Sequence, residues 1–69
     1  MLKVNRTILE MVVKEKGGVR KLASEAGLSP QYVYKVLKND ISVGRKFVRA
    51  LKGVTNLPFS ALFYYSDSE

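Results

Sequence analysis

The sequence predicts an all-α domain of five short helices around one core. Three observations carry this expectation. Apolar residues recur at helical spacing in five separate segments. Gly, Pro and Ser punctuate the gaps between those segments. No run alternates with period two for long enough to make a strand.

The first helix runs from about Asn5 to Lys16. Ile8, Leu9, Val12 and Val13 form its apolar stripe, Asn5 caps its start, and Gly17-Gly18 stops it. The second runs from about Gly18 to Ala26. Val19, Leu22 and Ala26 share one face, with Ala23 beside them, and Gly27 supplies the positive φ of a C-terminal cap. A third helix begins at once. Ser29 caps it, and Pro30 fits its first position, where a missing N–H costs no helical hydrogen bond. Val33, Val36 and Leu37 face inward, so Gln31, Lys35 and Lys38 point outward, with Tyr32 and Tyr34 on the flanks. Asn39-Asp40 makes a turn. Ser42 is expected to cap a fourth helix reaching about Gly53, with Phe47, Val48 and Leu51 inside and Gly44 weakening its first turn. A short fifth helix follows Pro58 and presents Phe59, Leu62 and Phe63. The domain is expected over residues 1–65, with 66–69 as a disordered tail.

At 69 residues the chain makes one domain at most. It contains no Cys and no His, which excludes disulfides, thiolate metal sites and His-based acid–base or triad chemistry. No metal, cofactor or small-molecule ligand is expected. No apolar run is long enough for a membrane helix and no signal-peptide core is present, so the expected setting is soluble and cytoplasmic, away from membranes. The net charge is +6. Residues 19 to 52 carry all of the excess, with eight cations against Glu25 and Asp40. A solvated Lys-rich surface accounts for such a balance, and so does a polyanionic partner.

Gly27 breaks one helix and the next begins within three residues. A tight turn of this kind joins the two helices of a helix-turn-helix unit. Ala23 supplies the small residue where the helices approach. Leu22, Ala26, Leu28, Val33 and Val36 supply the apolar underside. The second helix of such a unit enters a major groove with its solvent side facing the bases.

The stretch VRKLASEAGLSPQYVYKVLKN resembles the helix-turn-helix of the Cro and phage-repressor type of DNA-binding domain. ISVGRKFVRALKGVTNLPFSALF is similar to the fourth and fifth helices of that family. The resemblance covers roughly residues 6 to 64 and implies a five-helix, lambda-repressor-like fold. It also implies a small sequence-specific regulator of transcription, most simply a repressor, acting on a double-stranded DNA operator in a bacterial cell or the host of a phage.

The resemblance assigns base contacts to Pro30, Gln31, Tyr34 and Lys35, with Tyr32 beside them. It assigns phosphate contacts to the Val19 backbone N–H, Arg20 and Lys21 at the start of the second helix. It assigns further backbone contacts to Lys38, Asn39, Ser42 and Arg45. Two residues depart from the family's pattern. Pro30 stands where Gln or a small polar residue is common and donates nothing to a base. Leu37 replaces an acidic residue. Both departures bear on which sequence is read.

The side chains suit these roles. Gln31 can pair with adenine, Lys35 can donate to guanine O6 and N7, and Tyr32 or Tyr34 can press on a thymine methyl or bond a phosphate. Each has an alternative. Gln31 is also an ordinary solvated residue, Lys35 also a phosphate contact, and the tyrosines also partly buried against the second helix.

The family commonly binds two-fold operators as dimers through its C-terminal end. Here that end offers Leu57, Pro58, Tyr64 and Tyr65 as a possible homodimer surface, unless the tyrosines simply cover the core. With no room for a sensor, ligand-binding or protease domain, regulation would act through concentration, operator competition or a partner. One rival is a protein-interaction module of the same fold, such as an antitoxin, anti-repressor or accessory subunit. RNA binding has no aromatic stacking platform to work with. An enzyme is not expected, because no pair of carboxylates converges.

Overall fold

Five helices and one small sheet follow one another in the computed structural model, which describes residues 1–39 and 41–66. The order is β1 (Leu2–Val4), α1 (Arg6–Lys16), α2 (Val19–Ala26), α3 (Pro30–Lys38), α4 (Arg45–Val54), α5 (Phe59–Leu62) and β2 (Phe63–Tyr65). The chain is therefore mostly helical, and the expectation that it holds no strand is corrected. β1 and β2 pair antiparallel, with Leu2 opposite Tyr65, Lys3 opposite Tyr64 and Val4 opposite Phe63. Each strand has three residues, too few for a period-two pattern to register. Their stability comes from pairing the two ends of the chain and from burying Val4 and Phe63.

The caps fall largely where the sequence places them. The Asn5 side chain accepts from the Ile8 N–H at 3.2 Å, and the Ser29 hydroxyl accepts from the Tyr32 N–H at 3.4 Å. Pro30 opens α3. α1 and α2 close in the same way. Gly17 has φ 94° and Gly27 φ 73°. The next N–H in each case reaches back across the last turn, Gly18 to the Val13 carbonyl at 2.9 Å and Leu28 to the Ala23 carbonyl at 2.8 Å.

Helix α4 differs from expectation. It begins at Arg45 after Gly44, and Ser42 does not cap it. The backbone around Ser42 is engaged elsewhere: Ser42 forms an antiparallel bridge with Lys3, and the Val43 N–H donates to the Leu2 carbonyl at 2.9 Å. The loop before α4 thus lies along the free side of β1, which leaves Gly44, without a side chain, at the helix start. Ser66, expected in a disordered tail, continues the strand pairing. Its N–H donates to the Met1 carbonyl at 2.7 Å and its carbonyl accepts from the terminal ammonium at 3.0 Å. The expected turn at Asp40 and the rest of the tail, 67–69, lie outside the described residues.

Every helix contributes to one apolar core. Leu9 and Val12 of α1, Leu22 and Ala23 of α2, Val33 and Val36 of α3, Phe47 and Leu51 of α4, and Leu62 of α5 are buried with Val4, Val43 and Phe63. Among the described residues no polar or charged residue is buried. Ala23 is fully buried, as the small residue under the α2–α3 turn should be. Arg6 ties the two ends of the first three helices by donating from Nη1 to the Leu37 carbonyl at 3.3 Å. Among the described residues no helix is long and apolar enough to cross a membrane.

Candidate nucleic-acid interface

Helix α3 presents the outward line that its periodicity predicts. Gln31, Lys35 and Lys38 are exposed, while Val33 and Val36 on the opposite side are buried. Each turn of an α-helix advances 3.6 residues, so these three side chains rise along one face. Its first turn is fixed by Ser29, whose hydroxyl also approaches Gln31 Oε1 at 3.5 Å. Its last turn is closed by Asn39, whose Nδ2 donates to the Lys35 carbonyl at 3.3 Å. Pro30 is half-buried.

The two flanking tyrosines part company. Tyr34 is exposed, at 48% of its full surface. Tyr32 is half-buried and its ring meets Phe47 of α4 edge-on, with centroids 5.5 Å apart. The burial considered for Tyr32 is thus found, with Phe47 of α4 supplying a partner. That partner comes from a distant part of the chain, so no local pattern signals it.

The first turns of α3 and α4 share one cleft of about 310 Å³, lined by Leu28, Ser29, Tyr32, Gly44, Lys46 and Phe47. The cleft brings the expected base-reading end of α3 beside the expected backbone-contacting start of α4. No acid lines it. Lys46, on the cleft wall, is a cation that the assignment by resemblance omits.

The starts of the four longer helices fall into two kinds. α1 and α3 are capped by the side chains of Asn5 and Ser29. α2 and α4 start after Gly18 and Gly44 with no side-chain cap and no acid in the first turn. The first N–H groups of a helix have no intrahelical acceptor and carry the positive end of the helix dipole. The two uncapped starts carry Arg20 and Lys21 in one case, and Arg45 and Lys46 in the other, all exposed. Val19 is half-buried beneath the first of them.

Lys21 has a more mixed setting. A Cβ at Gly17 would lie 3.1 Å from Lys21 Cδ, so the Lys21 chain runs back over the α1–α2 turn. There it shares a cavity wall with Glu15, Lys16, Ser24 and Glu25. Lys16 Nζ pairs with Glu25 at 3.3 Å. Ser42 is exposed, and its bridge to Lys3 brings a residue from the charge-neutral part of the sequence alongside the same loop. Sequence reading passed over Lys3 and Arg6, whose places depend on contacts between distant segments.

The C-terminal residues occupy two settings. Tyr64 and Tyr65 are 45% and 73% exposed on β2. Leu57 is exposed and lines a cavity of about 550 Å³ with Met11, Val12, Glu15, Lys16, Val54, Thr55 and Asn56. Pro58 is exposed just ahead of α5.

Compared with known proteins, the chain matches no family model, no curated protein and no solved structure. The family resemblance therefore rests on the sequence pattern set out above.

Proposed function

We propose that the chain is a sequence-specific double-stranded DNA-binding regulator of transcription, a small Cro-like repressor of lambda-repressor-like fold that inserts α3 in the major groove. One observation carries the reading: the first turns of α3 and α4 meet across a cleft that no acid lines among the described residues, with an uncapped, basic helix start on one side and the exposed Gln31–Lys35–Lys38 line running from the other. Gln31, Tyr34 and Lys35 contact base edges, with Pro30 packing at the groove and Tyr32 serving mainly to hold α3 on α4. Arg20, Lys21, Lys38, Asn39, Ser42 and Arg45, with the Val19 N–H, grip the phosphates on either side. The partner is an operator bound by a homodimer through the C-terminal end, in a bacterial cell or the host of a phage. The reading includes no catalytic role, cofactor or membrane.

A second reading has its own observation. Exposed Met11 and Leu57 open onto the 550 Å³ cavity on α1, which suits a protein-interaction module of the same fold. A titration of random duplex DNA at low salt separates the two. The DNA reading expects binding that weakens steeply with added salt, at a slope near −0.9 per phosphate neutralised. No measurable binding at low salt would favour the interaction module.

A further inference from the structure

We propose that β1 is the positioning strand of the DNA interface: by pairing with the loop before α4, it holds Ser42 and the start of α4 where phosphates are met, although β1 itself contacts no DNA. This deepens the DNA-binding reading and rests on it.

β1 lies between two backbone partners. Ser66 N–H reaches the Met1 carbonyl and Asn5 N–H reaches the Leu62 carbonyl. Bonded and non-bonded pairs alternate along an antiparallel ladder, so the backbone groups of Lys3 face β2 and those of Leu2 and Val4 face the other side. That side holds the loop. Lys3 and Ser42 stand opposite each other, and the Leu2 carbonyl accepts from the Val43 N–H at 2.9 Å. The Val43 side chain is buried in the same core as Val4 and Phe63, so a backbone bond and a core anchor hold the loop together. Ser42, one residue earlier, stays exposed.

This hold matters because α4 has no anchor of its own. The start of α3 is fixed by the Ser29 hydroxyl, which accepts from the Tyr32 N–H. α4 follows Gly44 with no side-chain cap, and Gly44 is extended, at φ −101° and ψ −178°. A glycine ahead of an uncapped helix leaves the chain conformationally free at that point. The last fixed residue before α4 is therefore Val43, two positions ahead of the exposed Arg45. A loop ordered only on arrival of DNA would draw its ordering entropy from the binding free energy. β1 orders it in the free chain instead.

The test removes one bond. In a synthetic chain, the α-hydroxy counterpart of Val43 keeps the side chain and carbonyl but replaces the N–H by an ester oxygen. The same change at Ser66 deletes the N–H held by the Met1 carbonyl, which weakens the sheet without touching the loop. Both esters are titrated with random duplex DNA at a temperature where circular dichroism shows their helices fully formed. The Val43 ester should bind about tenfold more weakly than the Ser66 ester and lose about one unit of salt slope. Adding Arg45→Ala should then weaken the Ser66 ester fully and the Val43 ester little, because the contact is already lost. A bond that only stabilises the fold would leave the effect of Arg45→Ala equal in both. Equal affinity and slope in the two esters, or an equal effect of Arg45→Ala in both, would overturn the proposal while wild-type binding to DNA stands. A wild-type chain that binds no duplex would overturn the DNA reading itself, and this proposal with it. If the Val43 ester does not fold, hydrogen exchange of the wild-type chain decides. The Val43 amide should be protected in the free chain, and exchange at an open-loop rate, slowed only by added duplex, would overturn the proposal.

Discussion

The Tyr32 ring stands edge-on to the Phe47 ring, with centroids 5.5 Å apart and planes at 86°. Phe47 is itself fully buried and meets Phe63 edge-on at 6.3 Å. The outward helix α3 is thereby braced on α4 through an aromatic side chain that a reading of α3 alone would spend on DNA.

Tyr32→Ala should therefore destabilise the fold by about 1–3 kcal/mol, less than the roughly 3–5 kcal/mol of a fully buried aromatic because Tyr32 is half-exposed. Tyr32→Phe keeps the ring and should change stability by no more than about 0.5 kcal/mol. Urea titrations of the two variants decide this. Equal stability of Tyr32→Ala and wild type would remove the brace.

The α2–α3 turn makes a second prediction. A Cβ at Gly27 would meet nothing within 4 Å, so any cost there comes from φ 73° alone. Gly27→Ala should cost about 1–2 kcal/mol and Gly27→Asn less, because Asn tolerates the left-handed region. Gly27→Val should cost more than Gly27→Ala, since branching at Cβ worsens the strain. Ala23→Leu should also destabilise, by about 1–3 kcal/mol, through overpacking a fully buried site. Thermal melts in which Gly27→Val and Ala23→Leu both match wild type would contradict the helix-turn-helix geometry.

The helix starts make a third. Arg45→Ala and Arg20→Ala should weaken binding to all duplexes alike and flatten the salt slope by about one unit each. Lys21→Ala should do less, because Lys21 lies over the α1–α2 turn beside Glu15 and Glu25. Affinity measured against salt for the three variants tests the order. A larger effect at Lys21 than at Arg45 would put the phosphates on the α1 side of α2.

The helices were legible because their signals are local. Stripes three and four residues apart, Asn5 and Ser29 as caps, and Gly17 and Gly27 as stops all act within one or two turns. The sheet was not legible, because Leu2 finds Tyr65 only after the helices between them have folded. The misplaced start of α4 has the same origin. Ser42 has the chemistry of a cap, but β1 claims its stretch of backbone. In the candidate site, the exposure of Gln31, Lys35 and Lys38 follows from helical rotation. The settings of Tyr32, Lys21 and Arg6 depend on Phe47, Gly17 and Leu37, which no spacing within their own helices reveals.

The central claim is that α3 reads base sequence. Its most direct measurement is a matrix of single-base variants of a selected operator titrated against Gln31→Ala, Lys35→Ala and Lys38→Ala. Gln31 and Lys35 lie one turn apart on the exposed face, so each substitution should cost about 1–3 kcal/mol on the selected site and relax the preference at one base pair, the two being neighbours. Lys38, at the far end of the helix, should position without specifying, so Lys38→Ala should weaken selected and random DNA together. If Gln31→Ala and Lys35→Ala lower affinity uniformly across every base variant, α3 does not read sequence, and the account of this interface is contradicted.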